Sequence, residues 1–176
     1  MRSPTFIFVD EFGTNLGMTR RYARARRGER AVGAVPCNPD PNITLVMGLR
    51  LQGVVAPLAF EGAMNGDIFS VYVASQLAPE LRPGDVVFVD GLGAHRTAAA
   101  RAAIEAKGAR LRILPPYSPD LSPVENCGSK VKEAIRGMAP RTVSALLDAM
   151  GDAIGAVTPS DARGWFAHCG YCTDTS

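Results

Sequence analysis

Asp10 closes the apolar run TFIFV, Asp90 closes DVVFV, and Glu125 lies inside LPPYSPDLSPVEN. The first two runs are β-branched and aromatic and read as strands, and strand ends are where an α/β sheet turns side chains toward a ligand crevice. The third carboxylate follows a proline-rich strand exit and falls in the first turns of a predicted helix. Oxygen donors on three elements that could converge, with no His–Cys grouping to favour zinc, suit a hard cation such as magnesium or manganese. The chemistry such a site serves is displacement at a phosphodiester. Charge develops there on both the entering and the leaving oxygen, and two ions roughly 3.5 to 4 Å apart stabilise both at once. One ion also lowers the pKa of a bound water or a 3′-hydroxyl so that it attacks.

Around these three stand residues that could assist or bind the polyanion. Glu11 could help at the metal, although an acidic residue just past a strand is usually solvated. His95 follows the second aspartate by five residues and could touch a phosphate or a leaving oxygen; the alternative is a structural or exposed histidine. Between Thr19 and Arg30, TRRYARARRGER holds six arginines against the single Glu29. In a chain of net charge +2 this local excess favours Arg20, Arg21, Arg24, Arg26 and Arg27 as DNA-phosphate contacts, through guanidinium geometry suited to bidentate bonds, with a solvated face as the alternative. Arg96 and Lys130 are added to that set. Lys130, Lys132 and Arg136 are otherwise ordinary helix-surface charges unless DNA crosses that face.

The elements that must position these groups follow from periodicity. A strand ending at Asp10 leads into the arginine-rich connection. NITLVMGLR and VVAPLAFEG follow as strands joined across Gln52–Gly53 as a hairpin. Asn65–Gly66 breaks the pattern, and DIFSVYVASQLAPEL carries Ile68, Val71, Tyr72 and Leu77 near helical spacing. A Pro83–Gly84 turn precedes the strand ending at Asp90, and TAAARAAIEAKG is a helix stopped by Gly108 before the strand ARLRIL. Pro123–Arg136 reads as a helix with Ser122 as N-cap, Pro123 at its first position and Glu125 three residues after the cap. Pro115, Pro116 and Pro119 set the loop that aims Glu125. Helices from Thr142 to Val157 and from Pro159 to Ala167 close the chain. The fold class is α/β, a mixed sheet flanked by helices.

Length and composition set bounds. A chain of 176 residues, 47% hydrophobic and 20% charged, suits one soluble domain with a substantial core spanning 1–176. No apolar run approaches the roughly 18 residues of a membrane helix, and the N-terminus turns acidic too soon for a secretory signal, so no membrane partner and a cytoplasmic location are expected. Cys169 and Cys172 form a CxxC near the end with no second pair at comparable spacing, while Cys37 and Cys127 are isolated. Reduced, packed thiols are expected.

FVDEFG, VVFVDGLGAHR and LPPYSPDLSPVENCGSKVK resemble the catalytic core of transposases of the insertion sequence 630 family, bacterial relatives of the mariner elements. The 34 residues between Asp90 and Glu125 are the interval that group uses for its Asp–Asp–Glu triad. MTRRYARARRGER, NGDIFSVYVASQLAPELRPGDVV and WFAHCGY extend the likeness over nearly the whole chain. The resemblance implies a ribonuclease H-like fold, with Asp10 bridging two Mg2+ or Mn2+ ions and Asp90 and Glu125 each serving mainly one. It implies double-stranded DNA as partner, both element ends and target, with a homodimer as a further expectation. Two positions depart from the family: Gly91 stands where Asn is common, and Gly128 where a bulky apolar residue is common. The helix-turn-helix module that the family places before its catalytic domain is expected to be absent, and the chain by itself is then expected to bind DNA weakly and without preference for element ends. It would then be a truncated copy, or the catalytic half of a split transposase whose N-terminal DNA-binding half is separate. The alternatives are a nuclease or junction resolvase that cuts without joining, an inactive DNA-binding remnant, and, more weakly, a small-molecule phosphohydrolase.

Overall fold

The structure, a computed structural model, describes residues 5–116 and 118–171. Five strands, β1 (Phe6–Thr14), β2 (Ile43–Arg50), β3 (Gly53–Glu61), β4 (Val86–Val89) and β5 (Arg110–Ile113), form one sheet in the order β3-β2-β1-β4-β5. The first three pair antiparallel, and β4 and β5 run parallel to β1. This is the expected mixed sheet. The first strand is longer than its apolar run: Asp10 to Thr14 continue the ladder opposite Met47 to Ile43 of β2. Asp10 therefore sits inside β1 and does not end it.

Alternation along β1 divides the core. Ile7 and Val9 face one layer with α1 (Gly66–Tyr72) and α2 (Ala98–Glu105); Phe8 and Phe12 face the other, with α3 (Pro123–Met138), α4 (Val143–Gly155) and α5 (Pro159–His168). Asn65 is the N-cap of α1, its side chain accepting the Ile68 N–H at 2.9 Å. The expected long helix here is composite, since α1 passes into a π turn at Val73–Leu77 and a 3-10 turn at Ala78–Glu80. Phe69, Tyr72, Val73 and Leu77 are its buried side, and Val71, expected on the apolar face, is 65% exposed. Gly108, at φ +72°, ends the turn after α2 in a conformation that side chains with a Cβ rarely adopt. Among the described residues no helix is long and apolar enough to cross a membrane.

Cys127 and Cys169 are buried, as packed thiols, whereas Cys37 is exposed on the connection between β1 and β2. Cys172, the other half of the CxxC, and Tyr117 of the proline-rich loop lie outside the described residues.

Gly128 is buried in α3 against β1, and a Cβ built there would meet the Phe12 ring at 3.4 Å. Phe12 fills the volume that a bulky residue at 128 would need. A methyl group fits at ordinary contact distance, and Ala in a helix interior is favoured over Gly by roughly 1 kcal/mol. Gly128→Ala is therefore expected to raise the denaturation midpoint, by about 0.5 to 1 kcal/mol of stability. Gly128→Leu should lower it by overpacking against Phe12. Urea titration of both variants checks the pair.

Candidate active site

The parallel register of β1 and β4 pairs Phe6 with Val86, Ile7 with Val87 and Phe8 with Phe88. Extended two residues, it brings Asp10 level with Asp90. Since β4 ends at Val89 while β1 continues beside β2 alone, the sheet opens at that point. The gap is a cleft of about 430 Å³, and Asp10, Asp90 and Glu125 all line it, with Arg96, Pro115 and Pro119. Three elements thus deliver the three carboxylates to one cavity.

The delivery of Glu125 depends on the segment after β5. The Leu114 N–H donates to the Val89 carbonyl at 2.8 Å, which holds the strand exit against β4. A 3-10 turn at Pro119–Leu121 follows, and the Tyr171 hydroxyl donates to the Leu121 carbonyl at 2.8 Å from beyond α5. Ser122 occupies the N-cap position of α3 but makes no side-chain cap bond, so the expected capping box does not form. The Glu125 carboxylate is left to the cleft. Tyr171 escaped the sequence reading as a positioning group because its contact spans 50 residues.

Burial raises the Asp10 carboxyl to about pKa 7, and the charges of Glu125, Glu11 and Asp90 push in the same direction against the single hydrogen bond from the Glu11 N–H. Among the described residues no group of three His, Cys, Asp or Glu side chains stands close enough to hold an ion as placed. The donor set nevertheless fits a hard divalent cation. It is oxygen only, it is anionic, and its mutual repulsion is what a cation would neutralise.

A pH dependence follows. The folded metal-free protein holds the Asp10 proton more tightly than the unfolded chain, whose carboxyl titrates near 3.8. This contribution to stability is fully present below about pH 4 and is lost as pH rises through about 7, to an extent of up to about 4 kcal/mol. Asp10→Asn is expected to raise the melting temperature of metal-free protein at pH 8 and to change it little at pH 4. Thermal melts in EDTA at both values test this, and equal effects at the two would contradict it.

The neighbours differ in part from expectation. Glu11, expected to be solvated, has a side chain only 13% exposed and bonds His95 Nε2 at 3.0 Å. His95, expected among the DNA contacts, is fully buried, and its other nitrogen lies 2.5 Å from Asp90 Oδ1. Both ring nitrogens are engaged inside the protein. Burial disfavours the charged ring, but the hydrogen bond and charge of Glu11, with the charge and hydrogen bond of Asp90, outweigh it and raise the His95 pKa. Lys130, also expected at DNA, is held by Asp161 of α5 at 2.6 Å and joins two helices. Arg96 is exposed at the cleft, and its Nη2 lies 3.3 Å from where a Cβ at Gly91 would stand. The missing side chain at 91 leaves room for that guanidinium.

Arg20, Arg21, Arg24, Arg26 and Arg27 are exposed on the long connection between β1 and β2, and none makes an ion pair among the described residues. The base of this connection is fastened. The Leu16 N–H donates to the Pro39 carbonyl at 2.9 Å, and Arg141 donates to the carbonyls of Leu16 and Met18, each at 3.0 Å.

No curated protein matches the chain. Solved structures do. The strand transfer complex of Mos1 aligns with a TM-score of 0.71 at 16% identity, covering 94% of this chain and 52% of that one. The mariner Mos1 paired end complex with Mg aligns at 0.72 and 15%, covering 94% and 53%. The catalytic domain of Mos1 mariner transposase aligns at 0.59 and 12%, covering 96% and 84%. Identities this low show the fold, which is the expected ribonuclease H-like one; the chain spans about half the length of the Mos1 chains in the two complexes. The sequence model of the DDE superfamily endonucleases matches residues 5–146, from the first strand into α4, and the chain belongs to that family.

Proposed function

We propose that this chain is the catalytic domain of a mariner-like DNA transposase, cutting phosphodiesters and joining the freed 3′-end to a target duplex. The observation that carries the reading is the meeting of Asp10, Asp90 and Glu125, from three separate elements, at one cleft. Asp10, Asp90 and Glu125 would hold Mg2+ or Mn2+, in two ions, and the metal would supply Lewis-acid stabilisation of the phosphoryl oxygens and a nucleophile active at neutral pH. Asp10, its carboxyl raised to about pKa 7 in the metal-free site, would give up its proton on becoming a ligand. Arg96 would receive a phosphate oxygen at the cleft wall, and the arginines between β1 and β2 would follow the backbone outside it. The partners are duplex DNA, as element ends and as target, and a second copy of the chain; complexes of Mos1 described as paired-end support the latter.

The test is an assay with Mg2+ or Mn2+, a duplex bearing a candidate terminal inverted repeat, and a labelled target. Cleaved and joined products are expected. Cleavage without joining would favour a nuclease or resolvase, and neither product would mark an inactive DNA-binding remnant.

A further inference from the structure

We propose that His95 and Glu11 are positioning residues that fix which oxygen of Asp90 is offered to the metal. Asp90 lies one residue past the end of β4, so sheet pairing does not hold its side chain. Two other donors do. Its Oδ1 takes the Leu92 N–H at 3.0 Å and His95 Nδ1 at 2.5 Å, which leaves Oδ2 as the oxygen without a protein partner among the described residues. His95 is in turn held on its far side by Glu11 at 3.0 Å and packs on the Phe69 ring, with centroids 4.5 Å apart. Glu11 comes from the face of β1 opposite to Asp10, the face of Ile7 and Val9, so it acts on Asp90 through the imidazole. A ring fixed at both nitrogens and on its face can orient a carboxylate more tightly than a solvated partner could. Outer partners of this kind typically contribute 10- to 100-fold in metal affinity.

The inference rests on the proposed metal site, and the experiment separates the two. Mn2+ affinity of the whole chain is measured by calorimetry for wild type, Asp90→Asn, His95→Asn, His95→Gln, Glu11→Gln and the double variant His95→Gln with Glu11→Gln. Asn places an amide donor where Nδ1 stands, while Gln places one where Nε2 stands. His95→Asn, which keeps the Asp90 contact but not the Glu11 one, is therefore expected to lose no more than Glu11→Gln does, and His95→Gln to lose about 10- to 100-fold. Glu11→Gln should weaken binding on its own and add little in the His95→Gln background, because both act through one contact. Equal affinities for the two His95 variants, or losses that add in the double variant, would overturn the positioning role. Wild type that binds no Mn2+, or an Asp90→Asn variant that binds it as well as wild type, would overturn the metal site itself. A ring 15N spectrum during Mg2+ titration gives an independent readout. Retention of the Nδ1 hydrogen bond supports the proposal, and its loss as metal binds contradicts it.

Discussion

Alanine at Asp10, Asp90 or Glu125, one at a time, is expected to lower metal-dependent DNA cleavage by about 10³-fold or more and to leave the domain folded. A bound cation contributes several kcal/mol of transition-state stabilisation, and each factor of ten in rate corresponds to 1.36 kcal/mol. With three ligands serving one cleft, loss of any one leaves too little charge to hold the cation and orient the phosphate. Folding should survive because the three carboxylates line the cleft: Glu125 is exposed at the start of α3, and the Asp90 side chain, although bonded to buried His95, is 46% exposed. Asp10 is the most buried of them, and its removal relieves a destabilising charge. Far-UV circular dichroism and thermal melts establish the fold, and gel-resolved cleavage in Mg2+ and Mn2+ gives the rate. Retained cleavage in two of the three variants would sink the assignment.

The second large effect belongs to DNA affinity. Replacing Arg20, Arg21, Arg24 and Arg27 with Gln is expected to weaken binding by about 10²-fold or more near 0.1 M salt, and by similar factors for unrelated duplexes. Each phosphate neutralised on duplex DNA contributes about 0.9 to the slope of log affinity against log salt, so losing four contacts flattens it by up to about 3.6. These arginines are exposed and free of ion pairs among the described residues, so no internal partner competes for them. The fastening at Leu16, Met18 and Arg141 limits how far the connection can swing, which reduces the ordering cost of contact. Lys130→Gln should leave the slope unchanged, since its ammonium belongs to Asp161. A slope unmoved by the fourfold change would return the tract to a plain solvated surface.

Much of the scaffold was legible in the sequence because apolar periodicity and local punctuation report it directly. The runs ending near Asp10 and at Asp90, the hairpin at Gln52–Gly53, and the helix behind Glu125 are all local signals, and the sheet assembles from them. What periodicity could not report was pairing. β1 outruns its apolar stretch because DEFGT is held by β2, its partners lying from 37 residues away at Asp10–Met47 to 29 at Thr14–Ile43. The same limit hid the environment of His95. Its burial depends on Glu11, 84 residues off, and on the packing of Phe69, and nothing near position 95 announces either. The partner of Lys130 was hidden for the related reason that Asp161 lies 31 residues on. Cys37 lies exposed on the connection between β1 and β2, whereas Cys127 lies on the buried stripe of α3. Gly128 stands where the resembled family commonly has a bulky apolar residue, and a ring from β1 takes the vacated space. In each case the missing information is a long-range contact.

The most direct test of the account is a crystal structure grown with Mn2+ and phased on the manganese anomalous signal. The account predicts anomalous density in the cleft between the middle of β1 and the end of β4, bonded to Asp10, to Oδ2 of Asp90 and to Glu125, the three drawn together from their metal-free separation. Manganese absent from that cleft at millimolar concentration, or bound there without Asp10, would contradict it.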